Sequence, residues 1–152
     1  MLTPDYFYIQ EIIAEHPNCP IKLLNKFSNT TKDSMLLSIT KNPNCPSEIL
    51  EKILLHATNI NIWESGIKHP NCPIKILERL SDGKRYLARE FVTKNPNCPI
   101  NILEKLSNDP DSLVRVGVVE NPNCPIEILE KLSHDDNSLV KETAEKRLKE
   151  LH

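Results

Sequence analysis

The chain has 152 residues, 19 Lys+Arg against 21 Asp+Glu for a formal net charge of −2, and only 3 glycines. That balance argues against a dedicated nucleic-acid binder, which carries a basic excess. The scarcity of glycine excludes Gly-rich phosphate loops, and the apolar runs are too short for a membrane span or a secretory leader. Proline (12) and cysteine (5) are the compositional oddities.

Both oddities resolve into a period. Pro-Asn-Cys-Pro occurs at 17–20, 43–46, 70–73, 96–99 and 122–125, and it holds every cysteine. Cys19, Cys45, Cys72, Cys98 and Cys124 step by 26, 27, 26 and 26 residues. Such self-similarity is the signature of a stacked repeat architecture.

In chain order, residues 1–15 form an N-terminal half repeat, with Tyr8-Ile9-Gln10 standing where Leu113-Val114-Arg115 stand later. Tyr6-Phe7-Tyr8 either cover the first layer or present a sticky end. Full repeats follow at 16–41, 42–68, 69–94 and 95–120, and a last repeat at 121–152 carries an extended tail. All belong to a single helical-repeat domain, 1–152.

Each repeat reads as two short helices, A and B. Helix A is expected to begin at Cys-Pro with proline as its first residue, where a missing N–H costs nothing. Cysteine is then a weak N-cap, with Glu48 and Glu127 completing a capping box. In the fullest copy Ile100, Ile102, Leu103 and Leu106 form the inward stripe. Glu-Lys or Glu-Arg pairs at 51/52, 78/79, 104/105 and 130/131 face water. Residues 107–111 are a turn leading into a fresh N-terminus. Helix B turns Leu113, Val114, Gly117 and Val118 inward and stops at Asn-Pro, because the residue before proline is pushed out of the α region.

The second repeat has one extra residue, which leaves two registers for Trp63. Counting back from His69 puts it outward with Arg115; matching Gly66-Ile67 to Gly117-Val118 puts it inward with Val114. The second keeps the apolar pattern better and predicts a core tryptophan. In the tail, residues 138–151 place Leu139, Val140, Ala144, Leu148 and Leu151 on one side, as a capping helix does. The fold class is therefore all-α: an α-solenoid of about five 26-residue two-helix repeats, since pairs this short bury a core only by stacking.

The pattern Asn-Pro-x-x-Pro-x-x-x-Leu-x-x-Leu, then Asp, then Val-Arg, resembles the leucine-rich repeat variant family, which is close in style to HEAT repeats. The Val-Arg element is complete at Val114-Arg115, with near matches at Ala88-Arg89 and Val140-Lys141. The resemblance implies a right-handed superhelix of α-helices alternating with shorter, partly 3₁₀ helices. A founding type of that family carries an iron–sulfur segment with clustered cysteines. No such cluster occurs here, so that property does not transfer.

No catalytic, cofactor or metal residue is expected. Equivalent residues in adjacent layers lie roughly 8–10 Å apart, beyond the Cα spacing of about 7 Å that a disulfide tolerates. Four zinc ligands must converge on one ion, whereas one cysteine per layer makes a row; the cysteines read as small, buried, reduced packing residues. His16 and His69 stand in the Asn position before proline, His56 and His134 lie in the A–B turns, and His152 ends the sequence; all read as polar turn residues. Asn18, Asn44, Asn71, Asn97 and Asn123 are expected to satisfy backbone groups along the stack. The Asp109/Arg115 spacing, echoed by Asp135/Lys141, resembles the Asp–Arg ladder of HEAT units.

Charge offers two functional hints: Lys41, Lys68 and Lys94 at the ends of successive B helices, and the cluster Lys84, Arg85 and Arg89. The expected function is a non-catalytic, cytoplasmic scaffold for protein–protein interaction, with a protein or peptide partner, no membrane and no nucleic acid. Its candidate partner-binding residues are Lys84, Arg85, Arg89 and Arg115, on the more variable helix B face. The competing readings are a HEAT-like nucleic-acid-binding or DNA-processing protein, such as the helical-repeat glycosylases that act on alkylated DNA, and, behind it, a redox or metal protein.

Overall fold

The computed structural model describes residues 4–151, which form eleven α-helices and no strand. These residues divide into two compact units between Pro73 and Ile74.

In the first unit, α1 (Pro4–Glu15) is the half repeat, α2 (Ile21–Phe27) and α3 (Asp33–Lys41) make the first full pair, and α4 (Ser47–His56) and α5 (Ile60–Lys68) the second. The B-type helices stack on one another, α1 on α3 and α3 on α5, while α4 packs on α5. Ala14, Leu24, Met35, Ile39, Cys45, Leu50, Ile53 and Ile62 form the core.

In the second unit the A-type helices are α6 (Ile74–Ser81), α8 (Ile100–Leu106) and α10 (Ile126–Leu132). The B-type helices are α7 (Tyr86–Thr93), α9 (Ser112–Glu120) and α11 (Ser138–Glu150). Again α7, α9 and α11 stack in order, and α10 packs on α11. Val92, Leu103, Val114, Val118, Val119, Leu129, Val140 and Ala144 are fully buried. The helices that the resemblance makes partly 3₁₀ are α-helical here.

The start of helix A differs from the expectation by one residue. Pro20, Pro46, Pro99 and Pro125 have ψ of 135–150°, outside the helix, yet their carbonyls accept the first helical hydrogen bonds. Proline is therefore the N-cap itself, not the first helical residue, and the cysteine lies outside the helix. The capping box fails with it: no side chain caps α4 or α10, and Glu48 and Glu127 fall one turn position too early to reach back. Helix B is capped by a side chain at α5, α9 and α11, whereas Lys32 and Arg85 at the starts of α3 and α7 make no cap bond. Asp111 accepts from the Leu113 N–H, Asn59 from Asn61, and Asn137 from Leu139 and Val140.

The apolar stripes are one position narrower than the pattern predicts. Ile100, Leu113, Leu139 and Leu151, all assigned inward, are about half exposed. Each of the first three lies within two residues of its cap, and that opening half-turn projects beyond the packed stripe. Val119 is buried in their stead. Gly117 marks a close approach of α9 to α7: a Cβ there would collide with the Thr93 hydroxyl.

Candidate functional site

Within the units, three sets of side chains tie a repeat to its neighbour. The first is the residue preceding Pro-Asn-Cys-Pro. Asn42 is fully buried; its Nδ2 donates to the carbonyls of Ala14 and His16, both at 2.7 Å, and its Oδ1 accepts from the Asn44 N–H. Asn121 does the same with Thr93 and Asn95 as acceptors and Asn123 as donor. His69 substitutes for asparagine: Nδ1 accepts from the Asn71 N–H, which leaves Nε2 to donate to the Asn42 carbonyl at 2.8 Å. His69 is thus a polar turn residue, as read, but a buried and structural one.

Three of the motif asparagines behave as expected. Asn44 Nδ2 donates to Pro17 O, Asn71 to Cys45 O and Asn123 to Pro96 O. All five cysteines are buried free thiols. Burial pushes Cys45, Cys72 and Cys98 up to about 12, and Cys124, with Arg147 nearby pulling the other way, to about 11. His152 lies outside the described residues.

The second set is a lysine clamp that the sequence reading assigned to solvent. Lys52 Nζ donates to Ser28 Oγ (3.1 Å) and Asn29 Oδ1 (2.6 Å) of the preceding repeat. Lys105 makes the same pair of bonds to Ser81 and Asp82, and Lys131 to Ser107 and Asn108. The signal was present as the recurrence of Ser followed by Asn or Asp after helix A, but it lies 23–24 residues from its lysine. Only the stacking brings the two together.

The third set contains the candidate residues themselves. Arg89 Nε and Nη2 grip the Asp109 carboxylate at 2.6 and 2.9 Å, and Nη1 donates to Gly83 O. Arg115 repeats this one layer on, with Asp135 at 2.8 and 2.9 Å and Nη1 on Asp109 O. The pairing runs from each arginine to the aspartate of the following repeat. Both guanidiniums are largely covered, 13% and 16% exposed. Burial raises the Asp109 carboxyl, but the Arg89 fork, the Asp111 N–H and the two positive charges outweigh it, leaving it below the usual carboxylate range. Asp135 is lowered chiefly by its bond to Arg115. Lys84 and Arg85 differ: both are exposed, and neither side chain makes a hydrogen bond or ion pair among the described residues.

Trp63 settles into the outward register. It stands one repeat before Arg89, is only partly buried, and its Nε1 donates to Ala57 O at 2.9 Å. The donor reaches back six residues, as Arg89 does to Gly83 and Arg115 to Asp109. The extra residue of this repeat is absorbed before Asn59, in the longer α4 and its turn, so the register of α5 is unshifted. The apolar place assigned to Trp63 is taken by Ile62, 1% exposed.

Of the other charged residues singled out, Lys68 pairs with Glu64 and Lys94 with Glu90, each within its own helix. Tyr6 and Tyr8 are exposed, and Phe7 lies under Lys32, whose Nζ is 3.3 Å from the ring centroid. No group of three or more His, Cys, Asp or Glu able to hold a metal occurs among the described residues. No described helix is long and apolar enough to cross a membrane.

These features define an all-helical repeat protein. Residues 113–137, which run from helix B of the fourth repeat to the end of the next A–B turn, match the family described as leucine rich repeat variant. The match includes Val114-Arg115, the Asn121–Pro125 motif and Asp135, the elements that carry the Arg115–Asp135 bridge. No curated protein and no solved structure matches the chain.

Proposed function

We propose that the chain is a non-catalytic scaffold, acting as one domain in the cytoplasm, that binds a protein or peptide across the helix B face of its second unit. One observation carries this reading. Leu87, Leu113 and Leu139 occupy the same position in successive repeats and are 39%, 45% and 52% exposed. A regular row of half-exposed leucines on a rigid frame supplies the apolar centre of a binding surface. Lys84 and Arg85 stand at its edge with charges not spent on intramolecular pairs. Arg89 and Arg115 belong to the same face as ion-paired struts that hold neighbouring repeats in register beneath it.

The test is affinity capture with an immobilised Leu113→Asn/Leu139→Asn variant beside wild type, with helical content checked by circular dichroism. The expected result is loss of the captured partner at an unchanged spectrum. Retained capture, together with loss on Glu104→Lys/Glu130→Lys in helix A, would place the interface on the other face.

A further inference from the structure

In the first unit, a groove of about 420 Å³ lies between the A–B turn of the first repeat and helix α4. Its floor is Leu36, Ile53 and Ala57, and its rim includes Thr30, Lys52 and His56. The corresponding groove of the second unit, between Ser107–Asp109 and Lys131–Asp136, is walled by the Arg115–Asp135 pair.

The difference comes from one position. Trp63, Arg89 and Arg115 each send an N–H back to the carbonyl six residues earlier. In the first repeat that position is Leu36, which has no donor, and no donor among the described residues reaches Thr30 O. The groove therefore pairs an apolar floor with a carbonyl acceptor that the fold satisfies from within in the three repeats that follow. Its charges select among donor-tipped occupants. The Asp33 carboxylate is engaged by Asn59 Nδ2 at 2.8 Å, and no aspartate stands where Asp135 stands in the later groove. Lys52 Nζ, fixed on Ser28 and Asn29, sits on the rim and opposes a guanidinium while favouring an aromatic face.

We propose that this groove takes a tryptophan side chain of a partner polypeptide, its indole N–H donating to Thr30 O as Trp63 does to Ala57 O. The assignment rests on the scaffold reading only in that the occupant belongs to a protein; it concerns a different unit and a different surface.

The experiment titrates the ¹⁵N-labelled full chain with N-acetyltryptophanamide. Expected are amide shifts confined to Thr30, Thr31, Leu36 and Ala57 and their neighbours, saturating in the millimolar range. N-acetyl-1-methyltryptophanamide, which has no indole N–H, should bind about fivefold more weakly, the worth of one hydrogen bond. Leu36→Trp, which supplies the missing donor from within the chain, should abolish the response. Equal binding of the methylated probe, a stronger response to N-acetylargininamide, or no response at 10 mM would each overturn the proposal without any variant having to fold. Failure here leaves capture through Leu113 and Leu139 untouched, and loss of capture there leaves the amide response untouched.

Discussion

Asn121 and Asn123 look alike in sequence and differ in consequence. Asn121 is buried with both ends of its amide engaged, whereas Asn123 is exposed and its side chain makes one bond, to Pro96 O. Removing Asn121 strands the Thr93 carbonyl and the Asn123 N–H, while Asn95 O keeps the Cys98 N–H; each stranded group costs about 1–3 kcal/mol if left unpaired in the interior. Asn121→Ala should therefore lower stability by about 2–4 kcal/mol in urea denaturation, and Asn123→Ala by under about 1 kcal/mol. Equal effects would show that the buried amide is not the anchor. At the same scale, thiols raised to about 12 by burial are almost entirely protonated at pH 8. Native protein should react with a disulfide reagent at a small fraction of the rate of urea-unfolded protein, with all five thiols titrating after unfolding. Rapid labelling of the native state would contradict their burial.

Between elements, the arginine–aspartate bridges and the close helix approach are the features to perturb. Asp109 and Asp135 are depressed in the folded state relative to an unfolded value near 3.9. Folding thus favours their ionised forms, so the stabilisation is full above about pH 4 and disappears as pH falls through the depressed folded values. Wild-type stability should drop across that acid window, and Asp109→Asn/Asp135→Asn should start lower at pH 7 and lose less. Parallel curves for both proteins would remove the bridges from the pH dependence. Gly117→Ala drives a methyl into the Thr93 hydroxyl, itself bonded to Glu90 O at 2.7 Å. The overpacking should cost about 1–3 kcal/mol despite the better helix propensity of alanine. Gly66→Ala meets only the flexible end of Leu54 and should be milder, a contrast that thermal melts can read directly.

For the molecule as a whole, several of the cations are committed to its own architecture. Arg89, Arg115 and Lys105 bridge repeats, and Lys68 and Lys94 pair along their helices. With a net charge of −2, little counterion release is available on a phosphate backbone. Duplex DNA or RNA should accordingly bind no tighter than about 10 µM at physiological salt, within the range of non-specific contacts. A sub-micromolar affinity that falls steeply with salt in fluorescence anisotropy would restore the nucleic-acid reading.

The 26-residue period, the two helices per repeat and the buried cysteines are all legible in the sequence, because each rests on local chemistry: proline ends a helix, spacing sets an apolar face, and a small apolar thiol fits the core. The motif asparagines are legible as a recurrence, though not the acceptors they reach, 26–27 residues earlier. Nor are the other partners that lie 20–28 residues apart. The clamps from Lys52, Lys105 and Lys131, the buried Asn42 and Asn121, and the Arg89–Asp109 and Arg115–Asp135 bridges exist only once one repeat lies on the next. The half-turn of apolar residues at each helix start shows the same division. Periodicity marks Ile100, Leu113 and Leu139 as candidates for burial, but only packing decides which are covered, and these three project beyond the stripe that is packed. Trp63 was decided in the same way: its pattern allowed two registers, and the carbonyl of Ala57 chose between them.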